Sequence, residues 1–179
     1  CNIYGSLFKE DFIKPKKHPN QSFRRYNMCL HAYIVNVKNI EIYITNTSLT
    51  TIKIPEAIGK LTGLTYLAIS GPLDSSTSSS FNTSYPFPDK ITELTLLKTL
   101  LLNYLNMTGS IPPSIENLTG LQILSLNINN LSGSIPSSIG KLTGLQELLL
   151  GSNKLSESIP SNIGNLTILN SLGLNTNNL

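Results

Sequence analysis

The sequence predicts an α/β solenoid that lays down one short parallel strand in each turn of about 24 residues. Three observations predict it. From Leu118, apolar residues fall at Leu121, Leu124, Leu126, Leu131, Ile135 and Ile139, and the following turn repeats them at Leu142, Leu145, Leu148, Leu150, Leu155, Ile159 and Ile163. Within each repeat the spacing LxxLxL changes from three to two, so Leu124 and Leu126 face inward as a strand and Ser125 faces outward. Asn129, Asn153 and Asn177 share one phase just after that strand. A pattern that returns in step at such a period marks stacked coils whose strands form one sheet.

The Asn phase has a physical use. Where the chain bends out of the strand, N–H and C=O groups lose their ladder partners, and an inward amide can bond the backbone of the neighbouring turn. A plain turn Asn is the alternative. Gly133 and Pro136 suit a bend followed by an extended return path. A single turn cannot bury enough apolar surface to offset its ordering entropy, so stacking is required.

The chain divides at the point where the pattern begins. Residues 1–35 lack the repeat and form an N-terminal cap, with a short helix over Leu7–Ile13 that stops before Pro15. Its two Cys, Cys1 and Cys29, make one disulfide or remain free thiols, and an oxidising compartment favours the bond. Residues 36–179 hold about six turns. In the first, Ile40, Ile42 and Ile44 alternate as a strand, and aligning Ile42 with Leu67 makes this turn longer than the standard by a single position. The second begins at Leu61 and carries an insertion near residues 72–88, rich in Ser and Thr, which is either a binding loop or a surface insertion. The third, from Leu94, is regular except that Leu105 holds the Asn phase; in the fifth, Glu157 replaces the usual Gly. The sixth, from Leu166, is incomplete at Leu179, which implies either a longer chain or a second subunit stacked head to tail into a filament.

The motif LxxLxLxxNxLxGxIPxxIGxL resembles the plant-type extracellular class of leucine-rich repeats over roughly residues 40–179. Polygalacturonase-inhibiting proteins, receptor-kinase ectodomains and a leucine-rich antifreeze protein share it. The resemblance implies a twisted superhelix, an irregular or 3-10 convex side and a minor second sheet after LxGxIP. The family's cap carries paired cysteines and a tryptophan; this chain has no Trp and only two Cys.

Composition narrows the chemistry. Residues 1–38 hold seven Lys or Arg against Glu10 and Asp11, while the remainder holds six Lys against eight acids. The cluster Lys14, Lys16, Lys17, His18, Arg24 and Arg25 suits either an acidic partner such as pectin or a solvated cap surface. Basic residues do not continue along the repeats, so no nucleic-acid partner is expected. No apolar run reaches the roughly 18 residues of a membrane span. With His18 and His31 its only histidines, and no nucleophile triad, metal-binding spacing or phosphate loop, the chain is expected to be neither an enzyme nor a metal or cofactor binder.

Seven N-x-S/T sequons, at Asn20, Asn46, Asn82, Asn106, Asn117, Asn130 and Asn165, make N-linked glycans the expected modification of a secreted, cell-surface or wall protein. Asn106 and Asn130 share one repeat phase, and Asn117 and Asn165 another. The remaining candidate surface is the outward face of the sheet, with Tyr43, Tyr66, Leu101, Asn103, Tyr104, Asn127 and Glu147 as binding residues. The sequence thus points to a recognition module for a protein, peptide or glycan. A glycosylated structural protein that stacks end to end is the alternative, and an ice-binding or polygalacturonase-inhibitor-like protein the third reading.

Overall fold

The structure, a computed structural model, describes residues 38–43 (backbone only at Ile42 and Tyr43), 54–71 and 84–179. The expected cap, Cys1, Cys29, Asn20, Asn46, Asn82 and residues 72–83 of the insertion lie outside the described residues. Six strands, β1 (Asn39–Tyr43), β2 (Tyr66–Ser70), β4 (Thr99–Asn103), β6 (Ile123–Ser125), β8 (Glu147–Leu149) and β10 (Ser171–Gly173), form one parallel sheet in chain order. Each strand is one turn of the coil. Leu100, Leu124 and Leu148 stand in one row, fully buried, as the alternation requires.

The return path is built by proline. Pro55, Pro88, Pro112, Pro136 and Pro160 each precede a five-residue 3-10 helix, the first at Glu56–Lys60 and the last at Ser161–Asn165. The ring fixes φ near its preferred value, and the proline carbonyl accepts from the residue three positions on, as in Ile139 N–H to Pro136 at 3.0 Å. Ile58, Ile91, Ile115 and Ile139 project from these helices into the same core as the strand leucines, so the helices stand across the core from the sheet. Between the last two of them the close stacking needs glycine: a Cβ on Gly140 would lie 2.3 Å from the Asn162 carbonyl oxygen. The minor sheet is present as two short parallel pairs, β3 (Tyr85–Pro86) with β5 (Met107–Thr108) and β7 (Ser132–Gly133) with β9 (Lys154–Leu155).

The asparagine phase does what its position suggests. Asn129 Oδ1 accepts from the backbone N–H of Leu105 and Met107, both at 3.1 Å, one turn back. Its Nδ2 donates to the carbonyls of Leu102 at 2.8 Å and Leu126 at 3.0 Å. Asn153 repeats this with Leu131, Leu126 and Leu150, and Asn177 with Leu155, Leu150 and Leu174. The residue before each is held in the left-handed region: Ile128 at φ 56°, Ser152 at 55° and Thr176 at 57°. Glu157 keeps the bend that Gly109 and Gly133 make, with φ 71° against 78° and 75°.

Two expectations change. The first turn is longer than the alignment of Ile42 with Leu67 predicts. Ile40 pairs with Leu67 and Ile42 with Ile69, a shift of two positions, so Tyr43 stands opposite Ser70 and not beside Tyr66. Outward position also does not guarantee exposure. Ala68 is 2% exposed and Ser125 3%, because each sits in a row between larger neighbours, and Gly151 is buried as well. On β10, the last strand of the sheet, Leu172 is 46% exposed where its counterparts are fully buried. No helix among the described residues is long and apolar enough to cross a membrane.

Replacing Asn129 by Ala should cost about 2–4 kcal/mol in urea unfolding, because buried backbone groups on two turns lose their partner. Asn129→Asp should be at least as costly, since a carboxylate cannot donate to the Leu102 and Leu126 carbonyls.

Candidate functional site

The outer face of the six-stranded sheet is read in rows across the strands. One row runs Asn39, Tyr66, Thr99, Ile123, Glu147, Ser171, and the next runs Glu41, Ala68, Leu101, Ser125, Leu149, Gly173. Taken alternately from the two rows, Tyr66, Leu101, Ile123 and Leu149 make a zigzag over four consecutive strands, and all four are half-buried. Diagonal neighbours on adjacent strands lie roughly 7–8 Å apart, within mutual reach of large side chains. Leu149 leans over the next turn: a Cβ on Gly173 would come within 3.0 Å of its Cδ2. The face therefore carries an outward apolar side chain on each of four consecutive strands, with the buried Ala68 and Ser125 between them.

Polar groups border the zigzag. Glu147 is half-buried in the row of Ile123, and Lys98, Gln122, Gln146 and Asn170, each immediately before its strand, are exposed. The Tyr66 phenol has its pKa raised above the ordinary value, first because burial disfavours the phenolate and second because Glu41 adds negative charge nearby. No group of His, Cys, Asp and Glu among the described residues is arranged to hold a metal.

The structure sorts the expected face residues. Tyr66 and Leu101 are brought together as diagonal neighbours, and Glu147 lies beside the same zigzag. Tyr43 is two positions further along its strand, and its side chain lies outside the described residues. Asn103 and Asn127 serve the coil itself. Asn103 Oδ1 accepts from Ser125 Oγ and from the Asn127 N–H, both at 2.8 Å, and Asn127 Oδ1 accepts from the Gly151 N–H at 2.7 Å. These side chains take the N–H groups that would extend the ladder, which is why β6 and β8 stop after three residues. Tyr104 has left the sheet with φ 60°, its backbone pressed on Gly71, where a Cβ would meet the Tyr104 carbonyl oxygen at 1.8 Å. Ile123 and Leu149 are the additions; both occupy outward phases of the repeat, and only the register shows that they join Tyr66 and Leu101.

Of the sequons, Asn117 and Asn165 are exposed at the ends of 3-10 helices. Asn106 and Asn130 are half-buried, and Asn130 Nδ2 donates to Asn106 Oδ1.

Comparison with known proteins gives a consistent picture. The leucine-rich repeat family model matches residues 120–142 and 144–166. Among solved structures, the chain is similar to the plant peptide hormone receptor RGFR1, solved in complex with RGF2, at 36% identity and TM-score 0.67, over 80% of this chain and 21% of that one. It is similar to a chain of the BIR3–SERK2 complex from Arabidopsis thaliana at 32% identity and TM-score 0.59, over 78% of this chain and 68% of that one. It is also similar to a plant ice-binding protein at 28% identity and TM-score 0.62, over 76% and 41%. The chain spans about a fifth of the hormone-receptor structure. No curated protein matches it.

Because both contacts of Asn103 end on Oδ1, Asn103→Asp should keep them and remain close to the parent stability at pH 7. Asn103→Ala should lose about 1–2 kcal/mol in the same denaturant assay.

Proposed function

The chain belongs to the plant-type leucine-rich repeat family, and on that premise we propose that it is an extracellular, non-enzymatic recognition module that binds a protein or peptide across β2, β4, β6 and β8. The observation that carries this reading is the apolar zigzag of Tyr66, Leu101, Ile123 and Leu149. A zigzag one side chain wide that runs across the strands suits an extended segment with apolar residues at alternate positions. Glu147 at one end favours a Lys or Arg in the ligand. A glycan is a poorer fit, since Tyr66 is the one aromatic ring in these two rows. The solved relatives include a receptor holding RGF2 and a complex of BIR3 with SERK2, which supports a peptide or protein partner here.

Ice binding gains little from the likeness to the ice-binding protein, because the row Tyr66, Thr99, Ile123, Glu147, Ser171 offers no repeated residue.

The test is selection from a random peptide display library on the immobilised chain. Leu101→Arg and Ile123→Arg should each weaken the selected peptides by about tenfold or more, a loss of about 1.4 kcal/mol, with urea unfolding little changed. Selected peptides that bind the two variants as tightly as the parent would place recognition elsewhere.

A further inference from the structure

We infer that, in the secreted protein, Asn117 and Asn165 carry N-linked glycans and that Asn106 and Asn130 remain bare. All four head an N-x-S/T sequon, but the fold treats the two pairs differently. Asn117 and Asn165 are the last residues of the 3-10 helices Pro113–Asn117 and Ser161–Asn165. In each of these sequons the middle residue is a core leucine, Leu118 at 0% and Leu166 at 5% exposure, which pins the segment from beneath. The acceptor Asn and the hydroxyl residue, Thr119 or Thr167, are both exposed. The turn between them carries Lys141 at the same position, and its Nζ is paired with Glu116 at 3.0 Å. Two sugars on this row are therefore separated by a whole turn of the coil.

The other pair sits in adjacent turns and is part of the stacking. Asn130 Nδ2 donates to Asn106 Oδ1, the Asn130 N–H donates to the Met107 carbonyl at 2.7 Å, and the Ser132 N–H donates to the Gly109 carbonyl at 2.7 Å. The sequon Asn130–Ser132 thus lies within the ladder that joins two turns. Glycan transfer acts on Nδ2: an N–C1 bond to the sugar replaces one N–H bond, the amide proton is released, and the sugar–phosphate bond of a lipid pyrophosphate-linked oligosaccharide breaks as that pyrophosphate leaves. At Asn117 and Asn165 the new bond points a sugar into solvent. At Asn130 it would force an oligosaccharide between two touching side chains, and only a chain that gives up that contact could fold around it.

This inference stands apart from the recognition reading, because the helices that carry the glycans lie across the core from the sheet face. Its test is site mapping on the full chain secreted from plant cells, digested with peptide N-glycosidase A in heavy-oxygen water so that each occupied Asn becomes a labelled Asp. Label at Asn117 and Asn165 with none at Asn106 and Asn130 is expected. Label at Asn130 comparable to Asn117, or none at Asn117 and Asn165, would overturn it. Thr119→Ala and Thr167→Ala, which leave every Asn in place, should each remove one step of gel mobility. Ser132→Ala should remove none, and a lost step there would equally overturn the inference.

Discussion

The structure from the fourth turn onward depends on one inward side-chain amide in each turn, Asn129, Asn153 and Asn177. At the end of each strand the chain curves away from the sheet; the Ile128 and Ser152 N–H groups still reach carbonyls of the next turn, but those of Leu105, Met107, Leu131 and Leu155 have an asparagine side chain as partner. Asn129, Asn153 and Asn177 supply those partners from within, bonding both their own turn and the one before. The residue before this phase adopts a left-handed conformation that costs a non-glycine residue about 1–2 kcal/mol, and Tyr104 before Leu105 does so as well. Ile128 and Thr176 accept that cost although both are β-branched. Where Leu105 takes the phase, the turn fills the same place with an apolar side chain that is 1% exposed.

What the sequence disclosed follows from this arrangement. The leucine phases recur in step from the third turn onward and the asparagine phase from the fourth, and each is legible because a shift by one position would expose a whole row. The register of β1 was not legible. Ile40, Ile42 and Ile44 alternate, and sliding such a strand by two positions leaves every side chain on its own face. Hydrophobic pattern alone therefore cannot choose between Ile40 and Ile42 as the partner of Leu67. Pairing of Ile40 with Leu67 settles it, and Tyr43 moves away from Tyr66 as a result.

The candidate face was legible in parity and less so in role. Alternation identifies the outward residues, but a polar outward residue can serve its neighbours before it serves a ligand. Asn103 and Asn127 do so, committing their oxygen atoms to the next turn's N–H groups. The order of the apolar groups depends on which strand lies beside which, and Leu149 is a diagonal neighbour of Ile123 only through that adjacency. The two sides of the coil then divide their tasks: the sheet face offers a zigzag of half-buried apolar groups, and the helical side holds the exposed sequons.

The central claim is that this sheet face is the recognition surface. A methyl NMR titration of the full chain with a peptide selected from the display library tests it directly. The methyl signals of Leu101, Ile123 and Leu149 should shift with peptide concentration, while those of Leu100, Leu124 and Leu148 on the opposite side of the same strands stay nearly fixed. Shifts confined to the helix residues Ile115 and Ile139, with the zigzag unmoved, would contradict the account.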